Sequence, residues 1–526
     1  MSLSVKENRV VAVNRVGENT LQTVLQGKVE LPSTAAPVGR IVWVKGTPVV
    51  QSFATDQDRV YVQGAIDLTM IYVPETFDDE PAGLKRVEWP SALPFDTHVE
   101  VIGAEPEMNS KVEMTLLACE WDLGAGQYSL DVDLIVAVTV QVDQVRDYNV
   151  ISDVNLAKPV KLSTDGLVLN PLGEALEFTV DKENTGILEF ELGEAAVQTI
   201  LDVTAKVQLE EVELGDGKLG IKGWTTLEVL YELDDLSVQY YTFGQVLPFE
   251  LGYDNPQIRP ELVLEHRLQP RCECFVVNEG RNMRVELNLT GVFFLKSRQP
   301  VQVLTDVAAP GNQVEVRTEL VALDSFVNSK EQQGIVRGLI ELSHDLPPIR
   351  EILKTGATCH VTDFEVDEDK LVIEGVLDVE LFYLAHSEED TKPLFRGFFP
   401  EVIPFEQTLV VPGLELGMQP RISLAVISVK PDLINRETLE VATTLRFTVD
   451  VVEYLEVDAV VEAVEVEPMP EDPPTLTYVF VQNGDTVWKL SRRYHTTEEA
   501  ILEANPSLQD DPQSLKPGDH IYIPRN

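Results

Sequence analysis

The chain has 526 residues, 44% of them hydrophobic, and 88 acidic against 41 basic side chains leave a net charge of −47. That length exceeds one ordinary core and implies several domains of about 100 to 200 residues. The charge argues against nucleic acid or an anionic membrane surface as the main partner, since both are held by clustered Lys and Arg; it serves solubility or the docking of a basic partner.

No apolar run reaches the roughly 18 residues of a membrane helix, so no membrane insertion is expected. The opening MSLSVKENRVVAVNRVGEN has no apolar stretch of the secretory kind, which implies a protein that stays in the cytosol. Cys119, Cys272, Cys274 and Cys359 are too few and scattered for a disulfide framework or a paired Cys-x-x-Cys zinc site. On a strand, Cys272 and Cys274 would share a face.

In chain order, one frame occurs three times. DQDRVYVQG (56–64), GDGKLGIKG (215–223) and DEDKLVIEG (367–375) carry a basic residue five before the last glycine: Arg59, Lys218, Lys370. Eight residues after Gly64, Gly223 and Gly375 stand Tyr72, Tyr231 and Tyr383. LPFD, LPFE and IPFE come next, with Pro94, Pro248 and Pro404 spaced by 154 and 156 residues. Val5 to Leu31 also aligns without a gap on Val316 to Leu342, so the first repeat begins almost at residue 5.

Stretches such as DKLVIEGVLDVELFYL alternate with a period near two and are rich in β-branched and aromatic residues, the pattern of strands. A fixed mid-strand glycine marks a bulge or a close backbone approach. The proline of LPFD/E places that motif at the start of a strand or on an edge, with the phenylalanine turned into the core. Asp96, Glu250 and Glu406 then read as solvated strand carboxylates rather than a site. Turns at LGAG (123–126), NEGRN (278–282) and DLINRE (432–437) separate hairpin strands. GEAAVQTILDV (193–203) and LPPIREILKT (346–355) have spacing that allows one or two helical turns. The expected fold is mainly β: three tandem β-rich, sandwich-like repeats with minor helix, at 1–160, 161–312 and 313–458.

From 459 to 476 the composition turns acidic and proline-rich, which predicts an extended spacer tethering the C-terminal segment. That last segment, 477–526, changes grammar. YVFV reads as a strand, and NGDT opens a helix bearing Val487, Leu490 and Tyr494. TTEEAILEAN starts a second helix with a capping box from Thr496 to Glu499, and LKPGDHIYIP closes with a strand, giving a small βααβ unit.

The segment resembles a LysM domain, through GDTVWKLSRRYHTTEEAILEANP and LKPGDHIYIP. The resemblance implies binding of N-acetylglucosamine-containing glycans such as peptidoglycan, in a groove between Gly484, Asp485 and Thr486 on one side and Asn505, Pro506, Ser507 and Leu508 on the other. The same residues serve structure, with Asp485 or Thr486 capping the first helix and Asn505-Pro506 ending the second. Asp510 and Asp511 add two carboxylates near the second loop and leave room for a protein ligand.

Three such repeats with one LysM domain after them are similar to the SipL family, whose repeat is the SPOCS domain. This likeness implies a spore-coat morphogenetic factor, made in the mother-cell cytoplasm and recruited to the forespore surface, where it binds a SpoIVA-type coat scaffold. The alternative is a cell-wall protein anchored on peptidoglycan.

No catalytic signature stands against a non-enzymatic reading. There is no H-E-x-x-H, G-x-S-x-G or P-loop. Cys359 and His360 are adjacent, so on a strand they would face opposite sides. Cys119 and Cys272 stand 25 and 24 residues after the motif proline, where repeat 3 has Ser428 or Val429, the behaviour of a packing slot. No cofactor and no metal are expected.

Overall fold

A computed structural model describes residues 3–75, 83–124, 126–156, 163–171, 173–192, 195–297, 299–308, 313–386, 394–466, 476–482, 484–494, 496–509 and 515–524. Repeat 1 consists of β1 (Leu3–Glu30), β2 (Val38–Asp56), β3 (Arg59–Pro74), β4 (Lys85–Glu100), β5 (Asn109–Leu123) and β6 (Ser129–Leu156). They form two antiparallel sheets, ordered β1-β6-β5 and β2-β3-β4, that enclose one core.

Repeat 2 contains β7 (Ser163–Leu169), β8 (Gly173–Glu189), β9 (Val197–Gly215), β10 (Lys218–Leu233), β11 (Val238–Asp254), β12 (Val263–Val277), β13 (Asn282–Ser297) and β14 (Val301–Ala308). Its sheets are β12-β13-β8 and β11-β10-β9, and β7 pairs with β14 separately. Repeat 3 returns to the first plan with β15 (Gln313–Glu341), β16 (Ile349–Asp367), β17 (Lys370–Ala385), β18 (Leu394–Val410), β19 (Gln419–Asn435) and β20 (Thr438–Val466), in sheets β15-β20-β19 and β16-β17-β18.

The repeated letters are packing marks. Gly64, Gly223 and Gly375 face Phe95, Phe249 and Phe405 directly across the ladder. A β-carbon on Gly375 would come within 2.4 Å of the Phe405 ring and 2.5 Å of the His360 carbonyl oxygen; on Gly223 it would meet the Gln208 carbonyl oxygen at 2.3 Å. The opposing strand slips by one residue at each of these glycines, so bulge and close approach coincide. Leu93, Leu247 and Ile403, the first letters of the motif, press on Gly27, Gly186 and Gly338 of the other sheet.

LPFD/E itself lies inside β4, β11 and β18, which are edge strands, and does not start them. Three residues before each proline the chain turns left-handed, at Ser91 (φ 50°), Gln245 (φ 52°) and Glu401 (φ 48°). Asp96, Glu250 and Glu406 are exposed. Tyr72, Tyr231 and Tyr383 are buried, and burial lifts each phenol above its usual range. Tyr72 and Tyr383 donate to the carbonyls of Ala36 (3.0 Å) and Pro347 (2.9 Å).

The short helices expected near 193–203 and 346–355 are replaced by β9 and β16. Their register slips beside Gln198 and Leu201, and beside Arg350 and Leu353. Each slip adds a residue, so Val197, Ile200 and Leu201, or Ile349, Ile352 and Leu353, acquire helix-like spacing while remaining in the ladder. Among the described residues the repeats carry no helix.

The three repeats close into a ring. β4 abuts β9, β11 abuts β16 and β18 abuts β2, so each repeat hands an edge to the next. Equivalent positions Val42, Leu201 and Leu353 meet on the pseudo-threefold axis with Ile71, Leu230 and Phe382. At the far end, the tails of β6 and β20 meet β14 around Val150, Val303, Leu323 and Ala459.

The last domain is β21 (Leu476–Phe480), α1 (Val487–Arg493), α2 (Glu498–Ala504), a 3₁₀ turn at Pro506–Leu508 and β22 (His520–Pro524). Its core joins Val479, Val487, Leu490, Ile501, Leu508 and Ile521. Residues 459–466, placed in the spacer by composition, are instead the end of β20, paired with β15 through Val460 on Thr318 and Glu462 on Arg317. The alternation of valine with glutamate there suits a half-exposed strand as well as it suits a linker. The prolines of 467–475 lie outside the described residues.

Candidate functional site

The LysM-like segment holds the residues expected to bind, and the fold sorts them. Thr486 caps α1, its hydroxyl accepting from Lys489 N (3.1 Å). Gly484 is exposed at φ 83°, and its carbonyl accepts from Lys489 Nζ (2.8 Å). Asp485 turns inward, accepting from Gln482 N (2.9 Å) and pairing with Arg493 (2.8 Å). Those bonds, the Arg493 guanidinium foremost, hold its carboxyl below the usual carboxylate range.

Asn505 is buried and saturated: its amide donates to Ile501 O (2.7 Å) and Tyr522 O (2.6 Å) and accepts from Tyr522 N (2.8 Å). It locks the end of α2 to β22. Leu508 is core, whereas Pro506 and Ser507 are exposed. Of the seven residues, then, Gly484, Thr486, Pro506 and Ser507 face solvent while Asp485, Asn505 and Leu508 build the loops behind them. Thr497, not Thr496, caps α2, through Ala500 N (3.1 Å). Thr496 is buried and its N–H reaches Ser491 O. Asp510 and Asp511 lie outside the described residues.

A second face escapes the sequence motifs. Tyr478 and Phe480 on β21 stand opposite Tyr522 and His520 on β22, on the side of the sheet away from the helices. Tyr478, Phe480 and Tyr522 are 49%, 60% and 47% exposed, and neighbouring rings lie 4.4 to 5.9 Å apart. Period-two alternation in YVF and HIY is the signal that would have revealed it. An exposed aromatic cluster, its rings set edge-on or tilted to one another, suits a sugar face or an aromatic anchor of a partner.

The domain also rests on the ring. Trp488 Nε1 donates to Asp306 Oδ2 (3.1 Å), Arg492 pairs with Asp306 and donates to Val307 O, and Glu498 is raised by burial and by nearby Asp165. Asp306 belongs to β14, at the far end of the ring.

Elsewhere, a cavity of about 1100 Å³ lies between the repeats, lined by Trp43, Lys45, Glu228, Lys354 and Arg396 among others. Its charges are paired: Lys45 and Lys354 reach buried Asp202 at 3.4 and 3.6 Å, and Arg396 reaches Glu380 at 2.6 Å. Among the described residues no group of three His, Cys, Asp or Glu side chains is arranged for a metal. Cys359 packs on the core of repeat 3 while His360 turns to Asp378 (2.9 Å). Cys119, Cys272 and Val429 occupy one slot, facing Leu134, Leu287 and Thr443.

Such an arrangement defines a class: a ring of β repeats bearing a small binding domain of the LysM type. The SipL, SPOCS domain model matches residues 37–123, 196–277 and 348–434, and the LysM domain model matches 480–524. The chain is SipL-like, with three SPOCS repeats and a C-terminal LysM domain. It is also similar to the cell division suppressor protein YneA of Priestia megaterium, 43% identical over 54 residues, or 9% of this chain and 50% of that one. The chain therefore spans half the length of the curated relative it matches. No solved structure matches it. SPOCS and LysM are binding domains without catalytic chemistry; the first implies a role in sporulation and the second peptidoglycan binding. Among the described residues, no helix is long and apolar enough to cross a membrane.

Proposed function

We propose that this protein is a non-enzymatic scaffold of the spore envelope. The ring of β repeats makes protein contacts at the forespore surface, from the mother-cell cytoplasm, and the LysM domain docks on a SpoIVA-type coat protein. The observation that supports it most is where the repeated residues go: the glycine, tyrosine and phenylalanine of every repeat are spent on packing. What such a molecule offers is a large rigid surface with one exposed binding domain seated at its end.

Pull-down with the full chain from sporulating cells tests the reading. Recovery of a SpoIVA-type scaffold or of other coat proteins is expected, and recovery of neither overturns it. A second reading, anchorage on peptidoglycan, draws on the LysM match and on the exposed Gly484, Thr486, Pro506 and Ser507. Sedimentation with purified peptidoglycan that is lost on deleting 478–526 supports it; absence of sedimentation removes it.

A further inference from the structure

Cys272 and Cys274 lie two apart on β12, and their sulfurs are 3.5 Å from each other. The two other cysteines have no such neighbour: Cys119 and Cys359 are each half-buried in the cores of repeats 1 and 3. In the slot two residues after Cys119 repeat 1 has Trp121, and repeat 3 has Pro431 two after Val429. The dithiol is thus peculiar to repeat 2.

The geometry points to a peroxide-oxidisable site at this pair, in which Cys272 attacks and Cys274 resolves to an intrastrand disulfide. The two thiols share a hydrogen bond in which either sulfur can donate; with Cys274 donating, the Cys272 thiolate is favoured and the Cys274 proton is held in place. Arg86 of repeat 1 adds positive charge near Cys274. Burial raises all four thiols, and the single ones have no neighbouring thiol to offset it: Cys119 is pushed up to about 11 and Cys359 is raised. The Cys272 thiolate would attack the peroxide O–O bond, giving a sulfenic acid and releasing hydroxide, which is protonated to water. Attack by the Cys274 sulfur on the sulfenic sulfur then forms the S–S bond and expels a second water. The pair loses two electrons and two protons in total, and hydrogen peroxide takes both.

The strand accommodates the step at a cost. Alternate residues on an extended strand are about 6.8 Å apart, the upper limit for a disulfide, so β12 must pucker. It is an edge strand, laddered on one side to β13, and can do so without breaking the β13–β8 ladder. A disulfide closed under such tension is readily reduced again.

The full-length reduced chain, treated with hydrogen peroxide and then N-ethylmaleimide, tests this by intact mass and peptide mapping. The expected product has lost two hydrogens and two maleimide sites, both on the peptide holding Cys272 and Cys274, about tenfold faster than any change at Cys119 or Cys359. Dithiothreitol restores both sites. Cys119→Ser leaves the result unchanged, whereas Cys272→Ser abolishes the loss of two hydrogens. Alkylation of all four cysteines after peroxide, or a disulfide that includes Cys119 or Cys359, overturns the proposal.

Discussion

Repeats 1 and 3 each run one unbroken strand pair, β1 with β6 and β15 with β20, where repeat 2 runs two short ones, β8 with β13 and β7 with β14. Pro171 and Pro300 fall in the interruptions, and proline cannot donate to a ladder. Repeat 2 also divides its core into two clusters where its neighbours have one. The Gly, Tyr and LPFD/E frame is nonetheless intact in all three. The frame governs how two sheets pack within a repeat, while the long strand pairs govern how the repeats meet at the far end of the ring, and the broken one presents Asp306 to the LysM domain.

Equivalent positions on the axis sharpen the contrast, since Trp43, Asp202 and Lys354 share one register and differ in chemistry. Removing the shared acid should have the largest effect. Asp202→Ala takes the carboxylate from Lys45 and leaves Lys354 with only Glu228 and Thr204, and a loss of about 3 to 4 kcal/mol is expected in denaturant unfolding. Burial raises the Asp202 carboxyl, but the two lysines outweigh it and leave it below its ordinary value. Its contribution is therefore complete above the unfolded carboxylate value of about 3.9 and disappears as pH falls through the lower folded one. Asp202→Asn should remove that part of the acid dependence of unfolding.

Within the LysM domain, Asn505→Ala leaves three backbone groups unpaired, and a cost of about 3 kcal/mol is expected, confined to that domain. Hydrogen exchange would show α2 and β22 opening while the ring stays protected. Thr486→Val, at an exposed cap, should cost about 1 kcal/mol by the same measurement.

The glycines separate the repeats by a smaller margin. Gly223→Ala and Gly375→Ala drive a methyl into a carbonyl oxygen and should each cost about 2 to 3 kcal/mol, whereas Gly64→Ala meets only the movable ends of Phe95 and Met114 and should cost about 1 kcal/mol or less in thermal melts. Equal losses at all three would mean that the packing difference between repeats carries no energy. The smallest effect belongs to Asp306→Asn. Loss of its pairing with Arg492 is worth about 1 kcal/mol or less, and should appear as faster proteolysis between ring and LysM domain that depends less on salt than in the parent chain.

The recurring Gly, Tyr and LPFD/E letters were sufficient to mark three β repeats, and YVFV, NGDT, TTEEAILEAN and LKPGDHIYIP a βααβ domain, because strand alternation, helix caps and turn chemistry are local. The phenylalanine expected in the core is there, opposite the fixed glycine, and the acids beside it are solvated. The two bulged stretches that imitate helix spacing were not legible, since a bulge is visible only against the strand it slips past. Nor was the division of the LysM loops, where Asp485 and Asn505 look like ligand groups until Arg493 and Tyr522, brought in from elsewhere in the chain, occupy them. Sequence alone determined the repeat, its period and its strand-forming residues. The ring, the pairing of Lys45 and Lys354 on Asp202, and the seat of the LysM domain on Asp306 were decided by pairings across 150 residues and more, which no local pattern specifies.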